Sequence, residues 1–150
     1  MTTEYRFGTF LRDSFATLQR ELPDIYAEMC RRLAPQDIAI TVDSETVRLK
    51  FAREAVLPVK RLAHPTVMVR TGRKAILDLI DARSTLLDAA VEERLHLRGS
   101  PDDLARFYDG LMAYLHGAVR SPSFPALLQR FRYPAARSGK ARRRNERIHP

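Results

Sequence analysis

The sequence predicts an α+β fold: a mixed sheet of about five strands covered by helices. Three observations carry this. Apolar residues recur with helical spacing near both ends of the chain, at Leu11, Phe15, Leu18, Leu22, Ile25, Met29 and Leu33 and again from Leu104 to Val119. Between them they alternate with a period of two, at Ile38, Ile40 and Val42 and at Val47, Leu49 and Phe51. Finally, the order of segments is helices, hairpin, strands, a helix pair, a strand and helices, which suits a sheet with helices packed on it. The 150 residues, 45% of them hydrophobic, are enough for one domain with its own core.

Each element has a local reason. Pro23 breaks the first helical run and starts a second helix, with Asp24 and Glu28 near its positive end. Asp43, Ser44 and Glu45 make the turn of a β-hairpin. "AVLPVKRL" reads as a poor strand, in which Pro58 suits an edge. "TVMVR" is a better strand. Thr71 is then expected to cap a helix with Ile76, Leu77, Leu79 and Ile80, and Ser84 a short helix with Leu86, Leu87, Ala90 and Val91. The strands at 66–70 and 94–98 are joined through helices, so a parallel pairing is expected. Ser100 caps a long helix from Pro101 to about Arg120, whose apolar face is Leu104, Phe107, Tyr108, Leu111, Met112, Leu115 and Val119. A last short helix carries Phe124, Leu127, Leu128 and Phe131. Beyond Pro134 the patterning stops, so residues 135–150 are expected to be a disordered basic tail.

Charge and composition narrow the function. The net charge is +8, of which a net +5 lies beyond residue 136. The folded body is only mildly basic. No stretch has the roughly 18 apolar residues of a membrane span, and the start lacks an apolar signal core. The single Cys30 has no intrachain partner. A cytoplasmic setting is the simplest expectation.

Catalytic or metal chemistry finds no support. His64, His96, His116 and His149 have no neighbouring ligands at metal spacing. Cys30 lies beside Arg31 and Arg32, which could lower its pKa; a half-buried structural thiol is the simpler reading. Asp78 and Asp81 form an i,i+3 pair of the kind usually solvated. No catalytic residue, metal or cofactor is expected. The strand–glycine–helix turn at Gly99 has Asp102 and Asp103 in the first helical turn, where they would repel a phosphate, so it reads as a corner of the fold. Arg73 and Lys74, by contrast, sit at a helix start, where cations are disfavoured. They are either plain solvated side chains or an anchor for an acidic head group. Gly110, Ala113 and Gly117 make a small-residue stripe on the long helix, suited to close packing or to a helix that yields beside a cavity.

The stretch "VMVRTGRKAILDLIDARSTLLDAAVEERLHLRGSPDDLARF" resembles the C-terminal half of the sterol-carrier-protein type of lipid-binding domain. Thr66 to Arg70 match the strand of that pattern, Lys74 to Ile80 its helix, and Arg94 to Gly99 its "L-x-x-x-G" strand. Asp102 to Leu115 match the closing helix. The pattern's glycines after the first helix and before the last strand are replaced by "DAR" at 81–83 and "EER" at 92–94. The resemblance implies a single lipid-binding domain over residues 1–134, without chemistry of its own. It also implies an apolar ligand between sheet and helices. Small bacterial members act as accessory factors that present quinone precursors or other lipids to enzymes.

The expected function is therefore non-enzymatic binding of an apolar lipid, as a carrier or as an accessory factor for a lipid-modifying enzyme. The candidate lining is Met68, Ile76, Leu77, Ile80, Leu97, Phe107, Leu111, Met112 and Leu115, with Arg73 and Lys74 for a head group. Met68 and Leu97 contribute only if their faces point inward. The alternative is a nucleic-acid-associated or protein-interaction subunit. The basic tail offers charge without an aromatic for base stacking, so its nucleic-acid binding would be weak and non-specific. The last helix, with Phe124, Leu128 and Phe131, could dock on a partner or an anionic membrane surface.

Overall fold

The computed structural model describes residues 5–133. The expected tail at 135–150 lies outside the described residues. Two helices, α1 (Phe7–Glu21) and α2 (Pro23–Leu33), lead into the hairpin β1 (Asp37–Val42) and β2 (Glu45–Phe51), then β3 (Val56–Val59) and β4 (Val67–Thr71). Next come α3 (Arg73–Ile80), α4 (Leu86–Val91), β5 (Leu95–Arg98), α5 (Pro101–Arg120) and α6 (Phe124–Arg132). The sheet has five strands in the order β3-β2-β1-β4-β5.

Alternation decides which face is covered. Ile38, Val42, Leu49, Phe51, Val67, Val69 and Leu95 are buried under the helices. Their neighbours Thr46, Lys50, Met68, Arg70, His96 and Arg98 are exposed on the other face. Pro58 lies in β3, an edge strand, as its missing N–H requires.

The core lies between sheet and helices and is rich in aromatic rings. Phe10 stacks on Phe131 with centroids 4.5 Å apart and meets Phe124 edge-on at 6.0 Å. Phe124 and Phe131 are essentially inaccessible. The apolar face of the last helix is therefore core, and not a free docking face. Glu45 ties the sheet to α1: its carboxylate accepts hydrogen bonds from the Phe7 and Gly8 N–H groups, both at 2.9 Å, at the positive end of that helix.

Four local expectations are corrected. The strands β4 and β5 pair antiparallel, with Thr71 opposite Leu95. Their connection is two short helices that return the chain to the same end of the sheet; the parallel partner of β4 is β1. Thr71 belongs to β4, where its hydroxyl donates to the Arg94 carbonyl at 2.7 Å, and Gly72 stands at the N-cap of α3. The cap of α4 is Thr85, one residue on from Ser84, in a reciprocal box with Asp88.

The fourth correction concerns α5. Its buried stripe is Phe107, Gly110, Ala113, Tyr114, Gly117 and Ala118, while Tyr108 and Val119 are exposed. The helix has turned its small residues to the core because α2 packs there at close range. A Cβ added at Gly110 would lie 2.2 Å from Leu33 Cγ, and one at Gly117 would lie 3.1 Å from Ile25 Cγ2 of α2 and 2.9 Å from Leu18 Cδ2 of α1.

Candidate functional site

Beneath α1 and α5 lies a cavity of about 130 Å³. Its floor is Ile40, Leu49 and Val69 from the sheet. Its walls are Phe7, Phe10, Leu11 and Phe15 from α1, Met29 and Leu33 from α2, and Phe107, Gly110, Leu111, Tyr114 and Leu115 from α5. The last wall is Ile76, Leu79 and Ile80 from α3. Gly110 thus serves two ends: it admits Leu33 and borders the cavity.

Ile76, Leu79 and Ile80 of α3 and Leu111 and Leu115 of α5 are only partly buried. Apart from Ile40 and Thr71 of the sheet, the rest of the lining is buried. The least buried stretch of wall is therefore shared by α3 and α5.

The chemistry of the wall is apolar. Its two polar side chains already have partners inside the protein. The Thr71 hydroxyl is held by the Arg94 carbonyl. Tyr114 donates to Ser14 Oγ at 2.8 Å, and Ser14 in turn donates to the Leu11 carbonyl at 2.7 Å. Burial holds the Tyr114 phenol well above its ordinary pKa, against the lowering effect of its Ser14 hydrogen bond. The site therefore offers hydrocarbon contact and no nucleophile, acid or base.

Of the residues expected to line a cavity, five meet there: Ile76, Ile80, Phe107, Leu111 and Leu115. Leu77 and Met112 are partly buried and lie outside the lining. Leu97 is on the covered face but borders a different depression, and Met68, 44% exposed, points out of the opposite face. Period-two alternation puts Met68 opposite to Val67 and Val69, so its outward face follows once β4 is placed. The contributions of α1 and α2 were not anticipated. Their periodicity marked an apolar face, but no local signal says which helix overlies which strand.

The charged candidates are placed as follows. The Arg73 guanidinium donates to the Phe131 carbonyl and lies 4.2 Å from the centre of the Phe131 ring. Its backbone N–H, at the start of α3, donates to Asp43 Oδ2 at 3.3 Å. A carboxylate of the chain itself thus stands at this helix start. Lys74 is largely exposed, 3.7 Å from Asp78. Asp78 and Asp81 are not the solvated pair expected: Asp78 accepts from Arg94 at 3.1 Å, and Asp81 takes a bidentate pair from Arg132 at 2.9 Å. Those Arg132 bonds hold the Asp81 carboxyl below its usual range. Cys30 is fully buried, and desolvation raises its pKa; Arg31 and Arg32 bind Glu28 instead. The structural-thiol reading holds in kind, with burial complete rather than half, and the lowering that Arg31 and Arg32 could have caused is absent.

By sequence, no family model and no curated protein matches the chain. By structure it is similar to UbiJ-SCP2, a ubiquinone synthesis protein, with 17% identity, 73% of this chain and 93% of that one covered, and a TM-score of 0.53. It is equally similar to apo sterol carrier protein 2 from Yarrowia lipolytica, at 9% identity and TM-score 0.53, with 72% and 91% covered. A conserved hypothetical protein from Thermus thermophilus, possibly sterol carrier protein, aligns at 14% identity and TM-score 0.53, with 83% and 96% covered. The fold is that of the sterol-carrier-protein type.

Proposed function

We propose that this chain, which has the sterol-carrier-protein-type fold, binds an apolar lipid between its sheet and helices, as a carrier or as an accessory factor that presents lipid to an enzyme. The observation that carries the reading is the cavity lined by Ile76, Ile80, Phe107, Leu111 and Leu115, whose least buried wall is shared by α3 and α5. A dry cavity near 150 Å³ takes up one aromatic ring, whereas small-molecule sites span roughly 300–1,000 Å³. A whole lipid must therefore widen the site. The short α3 is the element to move, since most of its residues are only partly buried and it forms part of that wall.

The apolar wall selects for a ligand with a hydrocarbon or isoprenoid body and leaves any polar end at its least buried stretch. Lys74 is the exposed cation on the helix that edges the cavity, so an acidic head group would compete with Asp78 for it. Arg73, held against α6, would add background charge only. One of the similar folds is a ubiquinone synthesis protein, so isoprenoid quinone precursors are one ligand class to try.

Native mass spectrometry of the full chain, purified without detergent, tests the reading. A bound species of lipid mass that is released on denaturation is expected. Protein that stays at the bare chain mass, before and after incubation with fatty acid and with a quinone precursor, would refute it.

A further inference from the structure

The uncovered face of the sheet is not an inert surface. It holds a depression of about 710 Å³. The registers place Arg48, Ala39, Met68 and Arg98 side by side in one row across β2, β1, β4 and β5. Ala39, buried and small, sits toward the middle, beside the half-exposed Met68. Arg70 lies two residues further along β4, and Leu62 and Pro65, from the β3–β4 connection, add apolar wall. Strands lie about 4.8 Å apart, so Arg48 and Arg98 stand roughly 14 Å apart.

None of these three arginines has an ion-pair or hydrogen-bond partner among the described residues, and no carboxylate lines the depression. Asp37, on the same face, is held by Lys50 at 3.1 Å. Thr41, Thr46 and His96 complete a mixed lining; within the row itself, the two residues between the arginines, Ala39 and Met68, are apolar, which suits an occupant apolar along one line and acidic on both flanks.

We propose that this face docks an acidic amphipathic helix of a partner protein, with its apolar stripe on Ala39 and Met68 and its carboxylates on Arg48 and Arg98. A helix about 10 Å across fits between strand positions whose backbones lie roughly 14 Å apart. Flanking carboxylates could then form bidentate arginine pairs, which are stronger than neutral hydrogen bonds. Other occupants fit less well. A second copy brings the same positive face, and the chain's own basic tail carries the same sign. A nucleic acid would find a single small ring, His96, in the lining for its bases, and no Phe, Tyr or Trp. A flat bilayer would not reach the floor of a concavity.

The test uses the full chain and a fluorescein-labelled synthetic helix with a leucine stripe flanked by glutamates, followed by fluorescence anisotropy at physiological salt. The controls are the same residues scrambled so that no stripe forms, an oligo-uridine, and phosphatidylglycerol vesicles. Two variants, R48Q/R98Q and M68Q, are used after their thermal transitions are shown to match the parent. The striped helix should bind, and the scrambled peptide should bind at least tenfold more weakly. Each variant should lose at least tenfold for the striped helix. No binding of the striped helix, equal binding of the scrambled one, or affinity unchanged in both variants would overturn the proposal. So would a larger loss in these variants for oligo-uridine or vesicles than for the helix, which would give the face to nucleic acid or to lipid. Uptake of apolar ligand on the opposite face is a separate measurement, so failure of either reading leaves the other standing.

Discussion

At the scale of the residue, charge does more structural work here than the sequence reading assigned to it. Glu21 closes the corner between α5 and α6: its carboxylate accepts from Ser121 Oγ at 2.6 Å, from the Ser123 N–H at 3.2 Å and from the Ser123 hydroxyl. The hydrogen bonds from Ser121, then Ser123, lower its pKa from 4.5 to about 2. A carboxylate lowered on folding adds stability that is whole above its unfolded pKa and is lost as pH falls through the folded one. Glu21→Gln should therefore lower Tm at pH 7, and the gap to the parent should close between about pH 4.5 and pH 2. Thermal melts over that range check it; a gap constant with pH would place the effect in packing. None of this was legible, because Glu21 and Ser121 are 100 positions apart and nothing local joins them. The same holds for Asp81 with Arg132 and for Arg73 with Phe131. Residue types were legible where the contact is local, as with Ser100, whose hydroxyl accepts from the Asp103 N–H at 3.1 Å.

At the scale of the element, periodicity located every helix and strand, while orientation between elements had to come from the structure. The clearest case is α5. Reading its face from bulky residues centred it near Tyr108 and Met112, yet the helix packs on Gly110, Ala113 and Gly117. The glycines were the better signal: two of them inside a 20-residue helix cost stability that only close approach returns. Gly110→Ala, which in a free helix would stabilise by about 1 kcal/mol, should here destabilise by about 1–3 kcal/mol, because the new methyl meets Leu33. Pairing it with Leu33→Ala should cost less than the two single changes summed. Chemical denaturation of the four proteins decides this, and a stabilised Gly110→Ala would contradict the packing described. The pairing of β4 with β5 was the main topological miss. The sequence shows that helices intervene, but not that they return the chain to the same end of the sheet.

At the scale of the molecule, the sheet separates two surfaces of different chemistry. One face is covered by aromatic core and encloses the apolar cavity; the other is open, basic and concave. The fold class and five of the nine expected lining residues were readable from alternation and helical spacing. The contributions of α1 and α2 were not, since they depend on how layers stack. The measurement that bears most directly on lipid binding is paired: stability and uptake of an apolar fluorescent probe, in the parent and in Leu111→Trp. If the cavity takes ligand, the parent binds the probe. The tryptophan then fills the space at a cost below about 1 kcal/mol and weakens the probe at least tenfold. A solid core instead would overpack by ~1–3 kcal/mol or more, and a parent that binds no probe alongside that loss would contradict the account.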